Sequence, residues 1–360
     1  MDLSHRTLAA VLVTVAIAHG ARAQEGQPPV QQAQPLAQEA QPPVQQAQPS
    51  LQQAQPLPEA PVRDLSGCYP GAGTGQVNCF ERPSALGFLL DVPRDIGGLA
   101  RDAVRLENLP WTAGVVGATV GLAFADQDLS DGAHRLGRRA GISSTGKTAS
   151  LKYVPIPYPT DAGSAMYYIG DGMVPVMLTV GWLGYGLVTQ DTRALRTTSH
   201  LAEGLVGVAI VAQTIKHVSG RQSPSRSTED GGHWRPLTNP LTYQKDVPAY
   251  DAFPSGHMAT AMVTVTVLAE DYPEYRGWIY GIGYTLMGAL GFQMMNNDVH
   301  WASDYPLALA IGYGLGKHAA TRGREIVDAG EASRRKPSTT VELVPFPLDR
   351  GGGLSLAGTF

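Results

Sequence analysis

The chain has 360 residues, 43% of them apolar and 16% charged, with a formal charge of −4. The charged fraction is below the ~25% of ordinary soluble domains, which points to a membrane-facing or very compact protein. Lys and Arg are scattered rather than massed, so no basic field is offered to nucleic acid, which is excluded as an expected partner.

His5 and Arg6 precede an apolar run from Leu8 to Ala18, and Ala21-Arg22-Ala23 follows with small residues where a signal peptidase reads. Residues 1–23 are expected to be a signal peptide cleaved before Gln24, exporting the protein to the periplasm or cell envelope. An uncleaved anchor is the alternative, although the run is shorter than the ~20 apolar residues of a bilayer span. Residues 24–62 are mostly Gln, Pro and Ala, with QPPVQQAQP at Gln27 and again at Gln41. So few large apolar side chains cannot offset the entropy of ordering, and a flexible tether is expected.

Residues 63–109 form a lead-in holding the two cysteines, Cys68 and Cys79. In an oxidising compartment this pair is expected to close a small loop as a disulfide, with free thiols as the alternative; two cysteines alone make a poor metal site.

Residues 110–320 are expected to form an all-α bundle of six helices, at about 110–125, 171–190, 199–218, 256–270, 276–294 and 304–319. Several carry repeated glycines (Gly114, Gly117, Gly121; Gly181, Gly184; Gly281, Gly288), which weaken a helix in water but allow close helix contact in lipid. Gly172 to Gln190 and Gly277 to Asn297 lack charge for long enough to cross a bilayer, whereas Glu203 and Lys216 interrupt the third segment. Residues 321–360 read as a basic tail and a small β-hairpin. Its first strand runs over Thr340–Pro345, and its turn is expected at Gly351-Gly352-Gly353.

Three local patterns carry chemistry. Pro254-Ser255-Gly256-His257 stands where a polar loop meets an apolar helix, whose first backbone N–H groups attract anions; it also reads as a capping turn. His300 and Asp304 are four apart, so on one helical turn Asp304 can orient the His300 ring; the same spacing also fits a helix-surface pair. Lys216 ends an apolar helix and is followed by Gly220-Arg221 and Pro224, cations that suit a phosphate or simply a solvated helix end.

In order and spacing these patterns resemble the type 2 phosphatidic acid phosphatase and vanadium haloperoxidase superfamily over about residues 200–318. That family's pattern is Lys, six residues, Arg-Pro; then Pro-Ser-Gly-His; then Ser-Arg, five residues, His, three residues, Asp. The middle motif is intact here and the last His and Asp fall on His300 and Asp304. Ser223-Pro224 stands in place of Arg-Pro, and Gln293-Met294 in place of Ser-Arg. Arg226, His233, Arg235, Asn296 and Asn297 are the nearby candidates to replace the two missing arginines.

The resemblance implies a six-helix fold and a metal-independent phosphomonoesterase acting on a phosphorylated small molecule or lipid, with membrane contact. His300 would attack phosphorus, Asp304 would orient it and His257 would protonate the leaving oxygen. Lys216, Arg221, Ser255 and Gly256 would bind the phosphoryl group, and no cofactor is expected. Two alternatives stay open: a non-catalytic binder of anionic head groups, and a vanadate-dependent haloperoxidase with vanadate in the same pocket.

Overall fold

The computed structural model describes residues 67–71, 75–145, 148–151, 154–328, 340–348 and 351–359. The expected signal peptide and tether lie outside these residues. Ten α-helices occur among them: α1 (Gly87–Val104), α2 (Leu109–Ala123), α3 (Asp126–Ala140), α4 (Ala162–Tyr168), α5 (Met173–Thr189), α6 (Thr192–Ser219), α7 (Pro240–Lys245), α8 (Gly256–Asp271), α9 (Arg276–Asn296) and α10 (Tyr305–Ala320). The strands are β1 (Cys68–Pro70), β2 (Gln76–Phe80), β3 (Thr148–Leu151), β4 (Val154–Pro159), β5 (Arg324–Asp328), β6 (Thr340–Leu348) and β7 (Gly351–Thr359).

The six expected helices are all present, as α2, α5, α6, α8, α9 and α10. At the centre α8 packs against α6, α9 and α10. Leu201 and Val208 of α6, Val263 and Val267 of α8, Leu290 of α9 and Leu315 of α10 form its fully buried core. The glycines that bring these helices together are not those singled out in the sequence. A Cβ at Gly312 would collide with the Ala259 carbonyl, and one at Gly204 with the Val263 side chain, so both allow close helix contact. Gly114, Gly117, Gly121, Gly181, Gly184, Gly281 and Gly288 would meet nothing within 4 Å.

Four helices depart from the expectation. α1 lies inside the Cys-containing lead-in and packs against α6 and α10, so that stretch belongs to the bundle. Its apolar pattern is broken by Pro93 and by Asp95, which is buried against Arg322. α3 lies between the first two expected helices, where none was expected; it is strongly polar, yet its ends carry helix signals. Asp126 and Asp128 stand in its first turn, Arg138 and Arg139 in its last, and left-handed Gly141 closes it. α4 and α7 are short, each opened by a side-chain cap, from Asp161 and Asn239 respectively.

β1, β2 and β5 form one antiparallel sheet, with Cys68 opposite Cys79 and Phe80 opposite Arg324. Cys68 and Cys79 are disulfide-bonded, as expected. Residues 324–328 are thus not a free tail: they tie the chain after α10 to the strand carrying Cys79. β6 and β7 form the expected terminal hairpin, but Gly351 to Gly353 pair with Leu348 to Phe346 as part of β7 rather than forming the expected turn.

Among the described residues one helix, α6, is long and apolar enough to cross a membrane. Two bent pairs pass the same test together: Leu106–Ala123 with Asp126–Ala140, bent by 68°, and Ala162–Tyr168 with Met173–Thr189, bent by 62°. The sequence expectation had favoured the charge-free stretches 172–190 and 277–297. Instead α6 passes by its 28-residue length and mean hydropathy with Glu203 inside its apolar stretch, and residues 173–189 pass only together with α4.

Candidate functional site

The site forms where the end of α6, the start of α8 and the turn before α10 meet. Ser255 caps α8, its Oγ accepting from the Met258 amide at 3.3 Å, which sets His257 in the first turn. Asp304 plays the equivalent part before α10: its Oδ2 accepts from the Trp301 amide at 2.8 Å and shapes a 3-10 turn over Ala302–Asp304. His300 immediately precedes that turn and is buried.

The two histidines converge. His257 Nδ1 lies 3.3 Å from His300 Nε2, with the rings at 72°. His300 Nδ1 lies 2.8 Å from the Ala252 carbonyl, which can only accept, so this nitrogen carries the proton. In neutral His300 the Nε2 lone pair therefore faces His257, and His257 Nδ1–H is the donor between them. Burial, then the neighbouring His300 and Lys216, push the His257 pKa well below the ordinary 6.5. Tyr167 stacks edge-on to His257 at 5.1 Å, and burial with Asp171 and Asp251 nearby raises its pKa to about 12.

Asp304 is near His300 but is not its hydrogen-bond partner. Its Oδ2 is 3.5 Å from His300 Nδ1, and the ring proton goes to Ala252 instead. The helical spacing that suggested a direct bond does not apply, because His300 precedes the 3-10 turn rather than lying on α10. Asp304 Oδ1 instead accepts from Arg221 Nη1 at 2.5 Å.

Arg221 is not on the rim of the pocket. It is 1% exposed and lies between two carboxylates, with Nη1 on Asp304 and Nη2 on Asp126 Oδ2 at 2.6 Å. Nη1 also donates to Ser303 Oγ at 2.6 Å and Nη2 to the Gly231 carbonyl, while the guanidinium lies over Trp234 and near Trp301. Two internal anions hold its charge, which removes it from the expected phosphate-binding set. Asp126 also accepts from Ser303 N and Oγ, and is the residue that sequence reasoning missed. The acidic first turn of α3 was the available signal.

Lys216 does reach the mouth of the Pro-Ser-Gly-His turn. Its Nζ lies 3.9 Å from where a Cβ on Gly256 would stand, and 3.3 Å from Asp251 Oδ2. The Ser255 amide is engaged by the Asp304 carbonyl at 3.1 Å, so it is not turned to a ligand as expected. Neither changed position of the family pattern leaves an empty slot. Ser223 is buried with its Oγ 3.4 Å from Asp251 Oδ1, and Met294 is fully buried in the hydrophobic core. The replacement candidates are engaged elsewhere: Arg226 with Asp246, His233 with Glu229, Arg235 near the Tyr250 ring, Asn296 with the Ser143 carbonyl and Asn297 with Gln293.

Comparison with known proteins bears on the same segment. Residues 198–324 match the PAP2 superfamily profile. Over 145 residues, 40% of this chain, the sequence is 26% identical to a lipid A 1-phosphatase of Porphyromonas gingivalis, and the match spans 28% of that relative's length. Among solved structures, the first transmembrane PAP2-type phosphatidylglycerolphosphate phosphatase from Bacillus subtilis aligns with 59% of this chain and 92% of its own, at 14% identity and a TM-score of 0.35. The profile match begins in α6 and ends in β5, enclosing Lys216, His257, His300 and Asp304, and over this segment the chain is similar to the PAP2 superfamily.

Proposed function

We propose that this protein is a phosphoric monoester hydrolase acting on lipid-borne phosphate through a phosphohistidine. One observation carries the reading: His300 is buried with its Nδ1 proton fixed on a carbonyl, so its other nitrogen is a free base aimed at a second histidine. His300 Nε2 would donate its lone pair to phosphorus as the P–O bond to the alcohol breaks. His257, protonated as the phosphate's negative charge enters beside it, would give that proton to the departing oxygen, then take one from the water that hydrolyses the N–P bond. Asp304, 3.5 Å from Nδ1, would stabilise the ring's positive charge, and Lys216 would face the phosphoryl oxygens. No cofactor enters this scheme.

At 3.3 Å the two nitrogens are too close for an in-line phosphoryl group, which needs roughly 6 Å between nucleophile and acid. His257, on the partly exposed first turn of α8, is the ring that would swing aside as substrate enters.

The lipid half of the proposal is supported by the lipid A 1-phosphatase activity of the Porphyromonas relative and by the outer surface. Trp111, Val116 and Val120 of α2, Val176 and Val180 of α5, and Trp278 and Ile282 of α9 are all exposed. So large an apolar surface suits contact with lipid. An exported, membrane-associated location belongs to the same reading.

The test is phosphate release from phosphatidate and from an isoprenoid diphosphate by the full chain in detergent, with acid-labile phosphate trapped on the protein after rapid quenching. His300→Ala should lose both turnover and trapped phosphate. Equal hydrolysis by wild type and His300→Ala would sink the mechanism. Tight phosphate binding without turnover would favour the non-catalytic alternative.

A further inference from the structure

We infer that Asp251 is a resident anion of the phosphoryl site and the residue that sets which phosphates it accepts; this rests on the reading of the His257–His300 centre given above. The Asp251 carboxylate spans the two residues at the ends of the first motif. Its Oδ2 is 3.3 Å from Lys216 Nζ and its Oδ1 3.4 Å from Ser223 Oγ, the position where the family pattern has arginine. A phosphoryl oxygen seeking Lys216 therefore meets a carboxylate already in place.

The loop holding Asp251 is firmly seated. The next residue, Ala252, donates its amide to the Arg221 carbonyl at 2.9 Å and accepts the His300 Nδ1 proton at 2.8 Å. Ser219 Oγ donates to the Phe253 carbonyl at 2.9 Å. The backbone that fixes the nucleophile thus also fixes the competing anion, so Asp251 leaves Lys216 by side-chain rotation rather than by loop movement. Asp251 also adds to the negative field that raises the Tyr167 pKa beside His257.

Like charges a few ångströms apart in a partly buried site repel strongly enough to change affinity by tenfold or more. A small, doubly charged phosphate has nothing but its charge with which to displace Asp251. An ester with a large apolar alcohol brings further binding free energy from the rest of the molecule. The site is thereby set against free inorganic phosphate and towards substrates anchored by an apolar group.

The experiment is equilibrium binding of inorganic phosphate, and separately of orthovanadate, to the full chain in detergent. Asp251→Asn, close in shape and neutral, should bind both about 10–100-fold more tightly than wild type. Lys216→Ala in the Asp251→Asn background should abolish the gain. Asp251→Ala serves as the second variant if the amide fails to fold. Affinity unchanged or weaker in the neutral variants, or no binding by any of them, overturns the inference.

Turnover separates this from the hydrolase reading. A tighter phosphate site without hydrolysis by any variant supports the resident anion and removes the hydrolase. Hydrolysis by wild type without an affinity gain in Asp251→Asn does the reverse.

Discussion

Arg221 Nη2 donates to Asp126 Oδ2 at 2.6 Å, joining the end of the α6 segment to a residue 95 positions earlier at the start of α3. With Asp304 on the other side, the guanidinium holds α3, the 220s loop and the His300 turn together. Arg221 acts on the chemistry through other residues, as a positioning residue. Arg221→Ala leaves two buried carboxylates without their cation and is expected to cost about 3–5 kcal/mol of stability. Asp126→Asn, which keeps the shape, should lower kcat with KM little changed and shift the His300 ring resonance. A variant that binds substrate less tightly but turns over normally would return Arg221 to a direct phosphate contact.

Depression of the His257 pKa has a signed consequence for stability. An unfolded histidine takes up a proton near pH 6.5, whereas folded His257 resists it until the pH is well below that. Between these two values the unfolded state binds more protons, so stability attributable to this group is fully present above about pH 6.5 and is lost as the pH falls towards the folded pKa. Histidine ring resonances should show His257 titrating well below 6.5. His257→Gln should flatten the acid limb of the stability profile, and an unchanged limb would refute the assignment.

The two missing arginines of the family pattern are not equivalent, and restoring them should give opposite results. Ser223→Arg meets a waiting carboxylate in Asp251 and should be tolerated within about 1–2 kcal/mol. Met294→Arg drives a cation into the fully buried core beside Leu290 and should destabilise by more than about 3 kcal/mol, or prevent folding. Thermal unfolding of the two single variants separates these outcomes. Equal stability would mean that position 294 faces the site.

Cys68 and Cys79 cross-link neighbouring strands of the sheet that also receives β5 from beyond α10. Thiol labelling of the non-reduced protein should find no free cysteine. Reduction, or Cys68→Ser with Cys79→Ser, should lower stability by about 2–3 kcal/mol for a loop this short, without changing the phosphate affinity of the distant site. Labelling of both thiols without reductant would exclude the bond.

The sequence by itself determined the apolar helices, the cysteine pairing, the terminal hairpin and the identity of the two histidines. Each rests on a local pattern: long apolar runs, two cysteines close in sequence, β alternation beside glycines, and three short motifs in order. It did not reveal α1 or α3, because Pro93, Asp95 and the polar face of α3 interrupt the apolar pattern from which helices are read. Nor could it say which way the charges turn. Arg221 and Lys216 are five residues apart and look alike as cations, yet one is sealed between Asp126 and Asp304 while the other sits at the mouth of the site with Asp251. Burial of a charge depends on partners that the chain brings from far away, and Asp126 and Asp304 meet at Arg221 only once α3 and the His300 turn have packed together.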